Sequence, residues 1–291
     1  MIVESRNTIM NIFDLSQQHT EVYVIPIFTD LYKHPNENTL SCIYIASKAQ
    51  DFIIPINHPD SEIQFTLEQA EGILSKFSYI YVNDKKEFLH AFKWNKQRSR
   101  KIIDLNMAGW FLSNKPTDIS QITTTAHDFI ERRHSSLPRV NTIIPLYKHL
   151  EKCRSIKDIT YKQYVTQDKQ QAVSYTKYNE DMLYILYGIE QAGIYTRKGL
   201  ESNQYNPYTS TGRPSNRYGG INYAALNKED GSRDRFVSRY SKGKMLEFDF
   251  DAYHIRLMAE VVGYKFPDTS VHEHLGRQYF DKDKLNEVEY K

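Results

Sequence analysis

The stretch Met245 to Phe250, MLEFDF, sets the strongest constraint on this chain, because it alternates strictly. Leu246, Phe248 and Phe250 fall on one side, and Glu247, Asp249 and Asp251 on the other. Successive side chains of a strand point to opposite faces, so the pattern predicts a half-buried strand with three carboxylates on one face. Carboxylates so placed repel one another unless a cation or a basic group sits against them. The period then changes. Ile255, Met258, Ala259 and Val262 recur at helical spacing and Gly263 closes the run, so the strand is expected to feed an amphipathic helix. Carboxylates are the usual Mg²⁺ ligands, and Mg²⁺ commonly serves phosphoryl transfer. A solvated acidic face fits the same letters. Taken alone, the run leaves both readings open.

The chain has 291 residues, enough for about two domains. With 38 Lys+Arg against 36 Asp+Glu, the net charge of +2 neither selects nor excludes a nucleic-acid partner. Cys42 and Cys153 form no metal-type cluster and no disulfide framework, which fits a reducing interior. The opening residues lack a basic start followed by an apolar core, and no run approaches the roughly 18 apolar residues of a membrane span. A cytoplasmic location with no membrane partner is expected.

Residues 1–175 mix strands and helices. Glu21–Phe28, Leu40–Ala46 and Asp51–Ile56 read as consecutive strands, the first two split by His34-Pro35-Asn36-Glu37-Asn38, so an antiparallel meander is expected. Thr66–Phe77 follows as a helix capped by Thr66. A strand at Tyr79–Val82, a helix over Asp84–Phe92, a strand at Lys101–Leu105 and a helix over Asn106–Leu112 complete an α/β or α+β domain. Within 176–205, Met182, Ile185, Leu186 and Ile189 predict an amphipathic helix with Asn179 at its start and Gly193 at its end. Residues 206–244 are rich in Gly, Ser, Asn and Tyr and punctuated by Arg213, Arg217, Arg233, Arg235 and Arg239. Such a stretch suits phosphate contact, and it suits a solvated loop equally. His34, His58, His90 and His149 stand isolated, and His127 and His134 share at most a helix face. None has zinc spacing, so all read as structural or surface residues.

Four stretches together resemble the family A DNA polymerases. DFDAYHIRLMAEVVG, from Asp249, resembles motif A, whose pattern D-Y-S-Q-I-E-L-R precedes a hydrophobic helix. The R-L-M-A at Arg256 to Ala259 sets the register. Upstream, Thr211-Gly212-Arg213, then Asn222, then Gly231, Arg235 and Phe236 match the order of the family's segment before motif A. DMLYILYGIEQAGIYT resembles the helix leading into the thumb, although the short stretch from Gly193 to Thr211 leaves little room for a thumb. The strand–turn–strand–strand opening, with IIPINH at Ile53 to His58 and IIDLNMAGWFLSN at Ile102 to Asn114, resembles the family's 3′–5′ exonuclease domain, an RNase H-like fold.

The resemblance implies a division into a degenerate exonuclease-like domain (1–175), a rudimentary thumb helix (176–205) and a partial polymerase palm (206–291). It implies Asp249 as the catalytic, metal-holding aspartate, with the Phe250 carbonyl as a further ligand of Mg²⁺. It implies Thr211, Gly212, Arg213, Asn222 and Arg235 on the template–primer DNA, and His254, Arg256 and His272 on the incoming dNTP. His254 stands where the family has a glutamate that screens the sugar, and Ser270 stands where it has an acid. The nuclease chemistry is expected to be lost. The first strand reads Ile25-Pro26-Ile27-Phe28-Thr29 where Asp-x-Glu belongs, with no acid before Asp30. Pro138 and Thr142 fall near the places of a further motif. Asp104 and Asp128 remain, scattered. The R-x-x-x-K helix and the second acidic motif of the family are not found after His272. The two-metal site is therefore expected to need a further segment or a second polypeptide. A phage-like replication polymerase, active only when so completed, is the expectation; a non-catalytic DNA-binding accessory protein derived from one is the alternative.

Overall fold

The computed structural model describes residues 20–29, 33–46, 51–58, 63–113, 177–210, 212–217 and 230–286, with isolated positions between. They fall into two compact units, Met1–Phe236 and Val237–Lys291.

The first unit is built on one mixed sheet of five strands. β1 (Glu21–Phe28), β2 (Leu40–Ala46), β3 (Asp51–Pro55), β4 (Tyr79–Val82) and β5 (Ile102–Asp104) lie in the order β3-β2-β1-β4-β5. β1, β2 and β3 form the expected antiparallel meander, while β1, β4 and β5 run parallel. The change of direction follows from the connections. A turn joins β1 to β2, whereas helices α1 (Leu67–Leu74), α2 (Lys85–Phe92) and α3 (Lys96–Ser99) occupy the crossovers that parallel strands require. Thr66 caps α1 in a capping box with Gln69, and Asp84 caps α2 through Lys86 N and Glu87 N. Val22, Val24 and Phe28 of β1 share one core with Ile73 and Leu74 of α1, Phe77 just after it, and Phe88 and Phe92 of α2. Tyr23, Ile25 and Ile27, on the opposite face, are buried as well. A strand apolar on both faces reads as a continuous hydrophobic run, which is how VYVIPIF reads. α4 (Leu105–Ser113) follows β5 directly.

A π turn over Tyr178–Met182 leads into α5 (Leu183–Ala192). The helix is where the sequence places it, but its buried face is not. Leu183, Leu186, Tyr187 and Glu190 are buried, whereas Ile185 and Ile189 are 57% and 48% exposed. The buried stripe lies one residue on from the sequence pattern. Asn179 does not cap the helix. Its side chain accepts from Asp104 N at 3.0 Å and donates to Ile102 O at 3.2 Å, pairing the free edge of β5.

Gly193 ends α5 at φ 57°, ψ −174°, where a Cβ would lie 2.8 Å from Glu201 O. Gly193→Ala is therefore expected to destabilise this unit by at least about 1–3 kcal/mol, the cost of a strained backbone alone. Chemical denaturation reads it. Two short hairpins follow, β6 (Ile194–Thr196) with β7 (Gly199–Glu201), and β8 (Gln204–Asn206) with β9 (Ser215–Arg217).

The second unit holds α6 (Tyr253–Val261) and α7 (Val271–Phe280). Ser270 caps α7 through Glu273 N. The predicted strand is absent. Residues 243–250 are irregular, and Leu246, Phe248 and Phe250 are 74%, 89% and 80% exposed. A half-apolar strand is held by cross-strand pairs and a layer over its apolar face. Among the described residues no strand pairs with this run, so the palm sheet expected here does not form. Residues 282–286 form no helix. No described helix is long and apolar enough to cross a membrane.

Candidate functional site

The sequence-predicted residues lie in two places. Gly212 and Arg213 sit in the loop between β8 and β9, and both are exposed. Gly212 takes φ 70°, Gly212 N donates to Thr209 O, and Thr209 Oγ1 donates to Arg213 O at 2.7 Å. The loop therefore projects a guanidinium from a fixed turn. Arg235 lies over the Phe236 ring, 5.4 Å from its centroid, and Phe236 pairs with Thr196 of β6. Thr211 and Asn222 lie outside the described residues.

In the second unit Asp249 is exposed, on the irregular run that precedes α6. No hydrogen bond or ion pair engages its carboxylate among the described residues. Arg256 does not reach it. The guanidinium turns back to Asp251, donating from NH2 to Oδ2 at 2.6 Å and from Nε to the backbone oxygen at 3.0 Å. His254 and His272 are exposed on the first turns of α6 and α7. The Phe250 ring packs 5.4 Å from Tyr253. Asp249 and the Phe250 carbonyl are hard oxygen donors of the kind Mg²⁺ takes. They fit as part of a Mg²⁺ site, and two such donors do not complete one.

The β1 positions that would carry the nuclease acids hold Ile25, Pro26, Ile27 and Phe28, all buried. The β1 carboxylate is Glu21, which accepts from Tyr81 OH. Asp104 is fully buried and serves structure. Its Oδ2 accepts from Lys85 N at 2.8 Å and its Oδ1 from Met107 N at 2.7 Å, so it holds the first turns of α2 and α4 together. Burial, reinforced by Asp84, raises its pKa from 3.8 to about 7 against the pull of those two amides. The sign follows. A folded acid whose pKa is raised keeps its proton where the unfolded chain has lost it, so its contribution to stability falls as pH rises from about 4 to about 7. The slope is at most about 1.4 kcal/mol per pH unit for one proton. Asp104→Asn is expected to flatten this part of the stability–pH profile, which denaturation at a series of pH values checks by difference. Its neighbour Lys85 is buried with an ammonium that has no hydrogen-bond partner among the described residues. Desolvation lowers its pKa to about 8, against the opposing charges of Asp104, Glu180 and Asp181.

The structure also corrects the reading of two histidines. His34 and His90 are not isolated; with Glu190 they form a group whose ligand atoms lie within 4.8 Å of one another. His90 Nε2 meets Glu190 Oε2 at 2.8 Å, and its Nδ1 meets Asn36 Oδ1 at 2.7 Å. The other Glu190 oxygen takes the Lys86 ammonium and, at 2.7 Å, Tyr205 N. Asn36 Nδ2 donates to Glu190 O at 2.9 Å. His34 Nε2 bonds Asn203 O and its Nδ1 accepts from Asn36 N, both at 3.1 Å. This ties α2, the turn Pro35–Glu37, α5 and β8 into one network, buried at Lys86, His90 and Glu190. The donor set (two His and one Glu) is one that zinc accepts. Here a lysine ammonium already occupies the carboxylate, and every ring nitrogen is bonded within the fold, so the group works as an ion-paired clamp. No signal in the one-dimensional pattern marks it, because its members come from four separate elements.

No protein-family model matches this chain, and no curated protein matches it. Solved structures do resemble it. The catalytic core of RRP6 from Trypanosoma brucei is 10% identical, with a TM-score of 0.45, over 62% of this chain and 50% of that one. A mutant of the same core is 11% identical with a TM-score of 0.42. The EXO domain of Aedes aegypti Nibbler is 10% identical, with a TM-score of 0.36, over 55% of this chain and 93% of that one. The chain thus spans about half the length of the RRP6 core it matches. The first unit is a mixed α/β domain on a mixed sheet.

Proposed function

We propose that this chain is the N-terminal part of a family A-like DNA polymerase. In this reading a sheet domain without nuclease acids precedes a short thumb helix and the first part of a palm. The reaction is attack of a primer 3′-hydroxyl on the α-phosphate of a dNTP. Mg²⁺, when bound, stabilises the charge that develops on the attacking and leaving oxygens. Asp249 contributes the carboxylate, the Phe250 carbonyl a further ligand, and Arg213 with Arg235 the contacts to template–primer. A guanidinium suits the minor groove because every base pair offers an acceptor there.

The observation that carries the reading is Asp249 itself. It is an exposed carboxylate with no partner among the described residues, on a run that leads into α6, with Arg256 in motif A register. The reading also requires the family's second acid and lysine helix, and a complete preparation must contain them.

Primer extension tests this. The purified chain alone is expected to extend nothing. The chain supplied with that missing part is expected to extend a primer in Mg²⁺, and Asp249→Ala is expected to abolish it. Template–primer binding that no completed preparation converts into extension would favour the non-catalytic DNA-binding reading.

A further inference from the structure

The polymerase reading leaves the buried network around Glu190 without a role. We infer that His34, Asn36, His90 and Glu190 form a proton-operated latch, which fastens α5 and β8 to the sheet domain and releases them in acid.

The geometry at His34 is the trigger. Nε2 serves the Asn203 carbonyl and Nδ1 accepts from the Asn36 amide, so the neutral ring protonated on Nε2 satisfies both. A second proton goes to Nδ1, where it faces the Asn36 N–H, a donor against a donor. His34 is the cap of the turn Pro35–Glu37, so losing that bond unseats the turn. The turn carries Asn36, which holds His90 Nδ1 and the Glu190 carbonyl.

The surrounding charges do not compensate. α2 presents His90, 5.4 Å from His34 between ring centroids, and Lys86; α5 presents Glu190; the turn itself presents Glu37. Glu190 is already taken by Lys86 and His90, and Glu37 is exposed. Burial first, and His90 second, hold the His34 pKa below 6.5. The unfolded chain therefore takes the proton first. The latch is fully stable above about pH 6.5 and weakens as pH falls from there to the folded value. Asp104 changes stability in the opposite direction, so a loss confined to the latch is distinguishable from global unfolding. The network also walls a cleft of about 530 Å³, floored by Phe28, Leu40 and Ile56, which release would widen.

Hydrogen exchange on the full chain, corrected for intrinsic rates, tests the latch between about pH 7.5 and about pH 5, the range over which histidine charges. Amides of Leu183–Asn206 are expected to lose about tenfold or more of their protection in acid, while those of β1 and β2 keep theirs. His34→Asn retains a good cap acceptor and cannot titrate, so it is expected to stay closed at both values. Unchanged protection in the wild-type chain overturns the proposal, whatever the variant does. So does an equal loss in His34→Asn, or a loss spread evenly over β1 and β2. Equimolar Zn²⁺ is expected to change nothing; stoichiometric binding that tightens Leu183–Asn206 would make the group a metal centre and overturn the latch.

Discussion

Replacing Glu190 by alanine is expected to cost the first unit about 3–5 kcal/mol, the penalty for breaking a buried ion pair from one side. The carboxylate is fully buried, and the Lys86 ammonium it holds is 1% exposed. Its removal leaves that ammonium, His90 Nε2 and Tyr205 N without their shared acceptor. Lys86 and His90, buried on α2, cannot turn to water without opening the contact with α5. The cost is that of stranded partners rather than the net worth of the pair. A double variant, Lys86→Met with Glu190→Leu, is therefore expected to lie closer to wild type than Glu190→Ala does. Urea unfolding of the three proteins checks the order. A loss below about 1 kcal/mol for Glu190→Ala would mean that the pair is solvated, as surface pairs are.

The same residue shows where sequence reading stops. The sheet was legible because each strand is a short apolar run bounded by turn residues, and β1, β2 and β4 fall where the pattern puts them. The cap at Thr66 was legible because a cap is a local hydrogen bond, made within three residues. The face of α5 was not. Its pattern points to Ile185 and Ile189, but the buried stripe runs through Glu190, because Lys86 with His90 makes burial of a carboxylate tolerable. That compensation comes from residues about a hundred positions away, which periodicity cannot register. The clamp of His34 and His90 was missed for the same reason. The alternating run at Met245 failed in the opposite way. Its local pattern is that of a strand, but a strand is completed by its neighbours, and none stands beside it among the described residues.

In a preparation completed with the missing part of the palm, Asp249→Ala is expected to cut primer extension by at least about 10³-fold, roughly 4 kcal/mol in the barrier. Template–primer affinity is expected to stay near wild type, because Arg213 and Arg235, not Asp249, are assigned to the nucleic acid. Folding should be indifferent to the change, since Asp249 is exposed and engages no partner among the described residues. That indifference makes the variant informative: a fall in extension cannot be charged to misfolding. Asp251 supplies the control. It sits two residues away with the same side chain, and the Arg256 guanidinium holds it at 2.6 Å. Asp251→Asn removes an exposed ion pair worth about 0–1 kcal/mol and, on this assignment, no metal ligand. It is expected to leave extension within a few fold of wild type. If instead Asp251→Asn abolishes extension and Asp249→Ala does not, the register set by Arg256 is wrong by two residues. If both variants extend as wild type does, the acidic face of this run is a solvated face, and the polymerase reading falls with it.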